Sequence, residues 1–173
     1  MDKKNFFHWG KKMNEQVKDE KLIAYCGLNC ADCHGYSGII PDLARDLRKE
    51  LRAIHYDKFA AFISTYSFGK DFKNYDECYR VLGAMVKFRC RKGCRSGGGS
   101  PFCNIRKCAQ KKGLEGCWEC NEFESCIKLE FLNNVHGDAH IKNLKTLHKN
   151  GKESFLSGKS LWYNKPKNKS VKK

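Results

Sequence analysis

Eleven cysteines in 173 residues are the groups of this chain best suited to chemistry. Their order is Cys26-x3-Cys30-x2-Cys33, Cys90-x3-Cys94, Cys103-x4-Cys108, Cys117-x2-Cys120 and Cys126, with Cys78 apart. A two-residue gap lets both sulfurs of a turn face one ion about 2.3 Å away, while backbone amides hydrogen-bond the thiolates. Cys30/Cys33 and Cys117/Cys120 have that gap. Three- and four-residue gaps suit the first turn of a helix. Four such pairs supply eight thiolates, the donors of two closed tetrahedral zinc sites. The candidate ligands are therefore Cys26, Cys30, Cys33, Cys90, Cys94, Cys103, Cys108, Cys117, Cys120 and Cys126. Cys26, Cys30 and Cys33 cannot close a tetrahedron by themselves. One of them is expected to share an ion with a cysteine beyond residue 89. Cys78 falls on the apolar stripe of a helix and is expected in the core.

The expected cofactor is zinc, two ions, and the alternative is an iron–sulfur cluster. Cys26-x3-Cys30-x2-Cys33 has the spacing by which radical S-adenosylmethionine enzymes hold a four-iron cluster. Those enzymes build on a large β/α barrel, for which this chain is too short and too helical. The C-x2-C-x2-C run of ferredoxins is absent. Among the histidines, His34 follows Cys33 and is expected to face solvent. His136 and His140 stand four apart in HGDAH, with Asp138 between them reading as a helix N-cap. Surface or capping roles are expected for both histidines. His55 and His148 lie beside apolar stripes and read as structural. Asp32 either orients a ligand or caps a turn.

The chain lacks a nucleophilic triad pattern, a P-loop, a dinucleotide fingerprint and an HExxH pair. The CxxC pairs lack the strand–CxxC–helix setting of thioredoxin-like redox proteins. The formal net charge is +15. Two four-thiolate zinc sites, each of net charge −2, would bring it to about +11. Residues 87–112 hold nine Lys or Arg and no Asp or Glu. This basic stretch makes nucleic acid or another polyanion a candidate partner, against the plainer reading of charge compensation for nearby thiolates. No run approaches the roughly 18 apolar residues of a membrane span, so no membrane role is expected. MDKKNFFHWGKKMNEQ lacks the apolar stretch of a secretory signal. A cytoplasmic location is expected, where thiols stay reduced and serve metal rather than disulfides.

The elements that must position these cysteines read as mainly helical. A small helical bundle is expected to pack beside an irregular zinc-knuckle module, with few or no strands. Residues 1–21 form a polar arm. Residues 22–163 form a single cysteine-rich domain, with a knuckle at 25–36, helices over 41–88, a metal module at 89–126 and C-terminal helices over 127–163. Pro41 is expected to open a helix whose stripe is Leu43, Leu47, Leu51 and Ile54. Asp57 is expected to cap a second helix carrying Phe59, Phe62, Ile63 and Tyr66, and SFGKDFKN to break it. A third helix spans about 74–88, with Tyr75, Cys78, Tyr79, Leu82, Met85 and Val86 as its stripe. NIRKCAQKK and residues 126–134 read as short helices. Asp138 opens a last one, closed at Asn150-Gly151. Residues 164–173 read as a basic disordered tail.

YCGLNCADCHGY at 25–36, GCRSGGGSPFCNIRKCAQKKGLEGCWECNEFESC at 93–126 and HGDAHIKNLKTLHKNG at 136–151 together resemble a cysteine-rich domain-of-unknown-function family of bacteria and archaea, of the DUF3795 type. The resemblance covers roughly residues 22–163. It implies metal ligands at Cys26, Cys30, Cys33, Cys94, Cys103, Cys108, Cys117, Cys120 and Cys126, a zinc role and no established activity. Many relatives continue past the aromatic segment, here LWY, into a further CxxC ribbon that this lysine-rich end lacks. The leading functional expectation is an intracellular metal-stabilised binding or adaptor module. The alternatives are an iron–sulfur electron carrier or enzyme using the 26–33 motif, and a nucleic-acid-binding zinc protein using residues 87–112. Whether it is an enzyme is left open.

Overall fold

A computed structural model describes residues 19–163. The expected N-terminal arm up to residue 18 and the basic tail lie outside the described residues. The α-helices, in chain order, are α1 (His34–Ser37), α2 (Ile39–Ala53), α3 (Tyr56–Ile63), α4 (Tyr75–Lys87), α5 (Asn104–Lys111), α6 (Asn133–His136) and α7 (Ala139–Ser157). Short 3-10 turns link them. Among the described residues there is no strand; the only sheet-like pairing is an isolated bridge between Ile23 and Asn29. Among the described residues, no helix is long and apolar enough to cross a membrane. The chain divides into two compact units. One comprises Cys33–Arg91 and the other the described residues 19–32 together with 92–163.

The Cys33–Arg91 unit holds α1 to α4. Helix α2 starts two residues before Pro41. A proline in the first turn costs no hydrogen bond, because the first amides of a helix have no intrahelical acceptor. Helix α4 carries Asp76 and Glu77 in its first turn and Lys87 in its last, which suits the helix dipole at both ends. SFGKDFKN does interrupt the α-helices, as a 3-10 turn over Ser67–Asn74. The stripes that periodicity marks as core are largely open to solvent. Leu43, Leu47 and Ile54 are 47%, 49% and 66% exposed, and Cys78 is exposed. The expectation that Cys78 belongs to a core is thus overturned. The only fully buried apolar side chains of this unit, apart from Pro41, are Ala44 and Ala60. Rings take over part of the packing: Tyr56 meets Phe59, Phe72 and Tyr75 at centroid separations of 5.2–6.2 Å.

The other unit has a conventional core. Ile23, Ile105, Trp118, Phe123, Leu129, Leu144, Leu147, Phe155 and Leu156 form one buried cluster, with Cys26, Cys103, Cys117 and Cys126 packed against it. Each such apolar side chain contributes about 1.5–3 kcal/mol when fully buried. Helix α7 supplies Leu144 and Leu147 to this core. It does not end at Asn150-Gly151 as expected. It kinks there, with Gly151 at φ 76°, and resumes so that Phe155 and Leu156 also reach the core.

Candidate metal centre

The cysteines outside the Cys33–Arg91 unit are drawn together by contacts that sequence spacing does not announce. Residues 23–26 are clamped by the segment that follows Lys92. Arg95 donates from Nε to the Ile23 carbonyl at 2.7 Å, and its guanidinium lies over the rings of Tyr25 and Trp118. The Cys117 amide donates to the Tyr25 carbonyl at 2.8 Å. The turn after Cys26 needs Gly27, whose φ is +83° and whose added Cβ would stand 2.8 Å from Leu144 Cγ. Cys26 is thereby held beside Cys94, Cys103 and Cys117, close enough for their charges to be felt. The Cys94 amide donates to the Cys30 sulfur at 3.4 Å. That is the kind of backbone hydrogen bond that supports a metal-bound thiolate.

A second group lies around the end of α5 and the turns that follow. Cys108, Cys117, Cys120 and Cys126 all line one pocket of about 350 Å³, whose apolar wall includes Ile105, Phe123 and Leu129. Helix α5 brings Cys108, the 3-10 turn Cys117–Glu119 brings Cys117, and Cys120 and Cys126 cap successive turns. Lys112 Nζ stands 3.8 Å from the Cys120 sulfur and 3.7 Å from a Glu122 carboxylate oxygen. Charge on Cys120, and then on Glu122, raises the pKa of that ammonium.

None of the eleven cysteines is in a disulfide. Burial pushes the Cys26 thiol up to about 12, with Cys94, Cys117 and Cys103 adding to the rise and the Leu28 amide opposing it. Burial, and then the neighbouring Cys126, Cys120, Cys108 and Cys103, pushes Cys117 to about 12 as well. Both thiols must lose a proton to bind a metal, so metal uptake releases acid. The donor type fits zinc or an iron–sulfur cluster, since soft thiolates select these. The sulfurs are convergent but not closed: among the described residues no three His, Cys, Asp or Glu side chains stand ready to hold an ion.

Cys33 and Cys90 belong to the other unit. Cys33 precedes α1, and the Cys90 amide donates to the Gly35 carbonyl at 2.9 Å. A Cβ on Gly35 would lie 3.6 Å from the Cys33 sulfur and 3.8 Å from Cys90 Cβ, so both flank that glycine.

The histidines correct the sequence reading. His34 is exposed as expected, but His136 and His140 are not surface residues; they are 8% and 1% exposed. Asp138 precedes α7, yet its side chain makes no capping hydrogen bond. His136 Nδ1 bonds the Trp162 carbonyl at 2.7 Å and therefore carries the proton in that bond. Asn143, which sequence reasoning passed over, donates to the Leu161 carbonyl at 2.8 Å and accepts from the Leu161 amide at 3.0 Å. Ser160 donates to the Asp32 carboxylate. The LWY segment is thus a strap stitched to α6, α7 and the 26–32 loop. Asp32 accepts the Ser160 hydrogen bond and so ties down the strap. His148 is structural, bonding the Trp118 carbonyl at 2.7 Å.

Three arginines of the basic stretch 87–112 are committed to backbone carbonyls. Arg89 donates to the carbonyls of Gly35, Tyr36 and Cys90, and Arg106 to those of Cys94, Gly98 and Ser100. Arg95 is committed to Ile23, as described above.

These features define a mainly helical, cysteine-rich protein. The chain belongs to the family described as Protein of unknown function (DUF3795), whose model matches residues 22–131. Comparison with curated proteins and with solved structures finds no match.

Proposed function

We propose that this protein is a zinc-stabilised binding module. Cys108, Cys117, Cys120 and Cys126 would hold one ion. Cys26, Cys30, Cys94 and Cys103 would hold a second, joining the start of the chain to its cysteine-rich segment. The supporting observation is that four free thiols from four separate turns line a single pocket. Bound zinc would supply cross-linking, with binding energy that is also folding energy. The chain's own residues would supply the deprotonated thiols, the amide of Cys94 directed at Cys30 and the Lys112 ammonium beside Cys120. A module stabilised in this way serves by presenting its surfaces to a partner.

Metal analysis of anaerobically purified protein tests the reading. About two zinc ions per chain are expected, the number for two four-thiolate sites. Cys120→Ser and Cys103→Ser should each remove one of them. Stoichiometric iron and acid-labile sulfide with visible absorbance would replace this reading with an iron–sulfur protein. A chain that is folded and free of metal would overturn both.

A further inference from the structure

A groove between α2 and α4 carries an unusual set of side chains. Arg45, Arg48, Arg52, Tyr79, Arg80 and Lys87 line it, the small Gly83 and Ala84 form part of its surface, and its volume is about 740 Å³. Its lining includes no carboxylate. Arg45 is paired with Asp42 and Asp46. Among the described residues, no ion pair engages Arg48, Arg52, Arg80 or Lys87.

The groove is built around Arg48. Its guanidinium lies over the Tyr79 ring, 3.9 Å from the centroid, and donates to the Tyr79 carbonyl. Gly83 makes room for it, since a Cβ there would stand 2.7 Å from Arg48 Nη1. Arg52 donates to the Tyr79 hydroxyl at 3.1 Å. One cation is thus held half-buried in the groove without a counter-charge, with exposed arginines to either side.

We propose that this groove binds single-stranded nucleic acid through its phosphates. Arg45, Arg48 and Arg52 recur at i, i+3 and i+7, which aligns them over about 10 Å of helix axis. With Arg45 paired to Asp42 and Asp46, the proposed phosphate contacts are Arg48, Arg52 and Arg80, three in number. Duplex reading calls instead for an element that projects into a groove. Arginine is also the side chain that grips phosphate with paired donors, and exposed guanidinium planes accept stacked bases. The arginines of 87–112 that bond backbone carbonyls are less available for this role.

The test uses the full chain and a fluorescein-labelled single-stranded oligonucleotide of mixed sequence, read by anisotropy across a salt series. The logarithm of affinity should fall with the logarithm of salt at a slope near −2, from about −0.7 per phosphate for three contacts. Arg52→Glu with Arg80→Glu, both at exposed positions, should weaken binding at least about ten-fold and flatten the slope by about 1.4. Arg80→Gln alone should weaken it about three-fold. Lys107→Glu with Lys111→Glu, in the cysteine-rich segment, should change affinity less than about two-fold. The metal content of every variant is measured in parallel, so failure of the zinc reading is distinguishable from failure of this one. Equal or tighter binding of duplex, equal competition by polyglutamate, or an unchanged affinity of the Arg52/Arg80 double variant would each overturn the proposal.

Discussion

The two units of this protein use the same helical vocabulary and reach opposite internal states. The unit containing α5 to α7 buries Ile23, Ile105, Leu129 and Leu144 to 2% exposure or less and holds eight of the cysteines, of which Cys26, Cys103, Cys117 and Cys126 pack against that core. The Cys33–Arg91 unit has clearer amphipathic stripes, yet it leaves Leu43, Leu47, Ile54 and Phe62 about half exposed or more. It sets arginines along the α2–α4 groove. The lesson is that periodicity reports which face of a helix is apolar, and a second surface must be present for that face to become core. In one unit Trp118, Phe123 and the kinked end of α7 provide that surface. In the other, ring contacts and the Arg48–Tyr79 stack provide only part of it.

Metal removal should separate the units most strongly. Structural zinc contributes on the order of 10 kcal/mol per site in small metal domains. If the proposed centres exist, chelation under reducing conditions should strip hydrogen-exchange protection from residues 23–32 and 94–126 while α2 and α4 keep theirs. Simultaneous loss across α2 and α4 would break the contrast.

Core substitutions give the next largest difference. Leu144→Ala should cost about 2–5 kcal/mol, because a fully buried side chain leaves a cavity. Leu47→Ala, at a 49% exposed position, should cost less than about 1 kcal/mol. Urea unfolding of both variants measures the gap, and equal costs would mean that the α2 stripe is covered in solution.

The strap offers a smaller and more local effect. Asn143→Ala removes both hydrogen bonds to the Leu161 backbone and should cost about 1–3 kcal/mol. The Leu161 amide should then exchange freely while the Ile105 amide stays protected.

The smallest expected effect is a pH dependence. Burial, then the neighbouring His136, lowers the pKa of His140, with Asp138 and the Gly137 backbone opposing. A histidine kept neutral in the folded state binds fewer protons than in the unfolded chain. Its contribution is complete above the ordinary histidine value near 6.5 and is lost as pH falls through that value toward the lowered folded one. Acid also releases thiolate-bound metal, so the comparison is between wild type and His140→Gln. The variant should show a shallower fall of stability on the acid side, and an identical slope would remove His140 as the cause.

Much was legible before any coordinates. The helical character, the scarcity of strands, α4, α5 and the special standing of the cysteines all follow from spacing and periodicity, which are local properties. Cysteine spacing alone put ten thiols forward as candidate ligands. What only the tertiary structure decided depends on contacts between distant residues. It placed Cys108 and Cys126 in one pocket with Cys117 and Cys120. It made Cys78 exposed and turned His136 and Asn143 into anchors for the LWY strap. It also committed Arg89, Arg95 and Arg106 of the 87–112 run to backbone carbonyls and set Arg48, Arg52 and Arg80 along the α2–α4 groove. Helical register selects a residue's face over a few turns. Whether that face meets a core, a carbonyl or solvent depends on which other segment folds against it, and that choice is nonlocal.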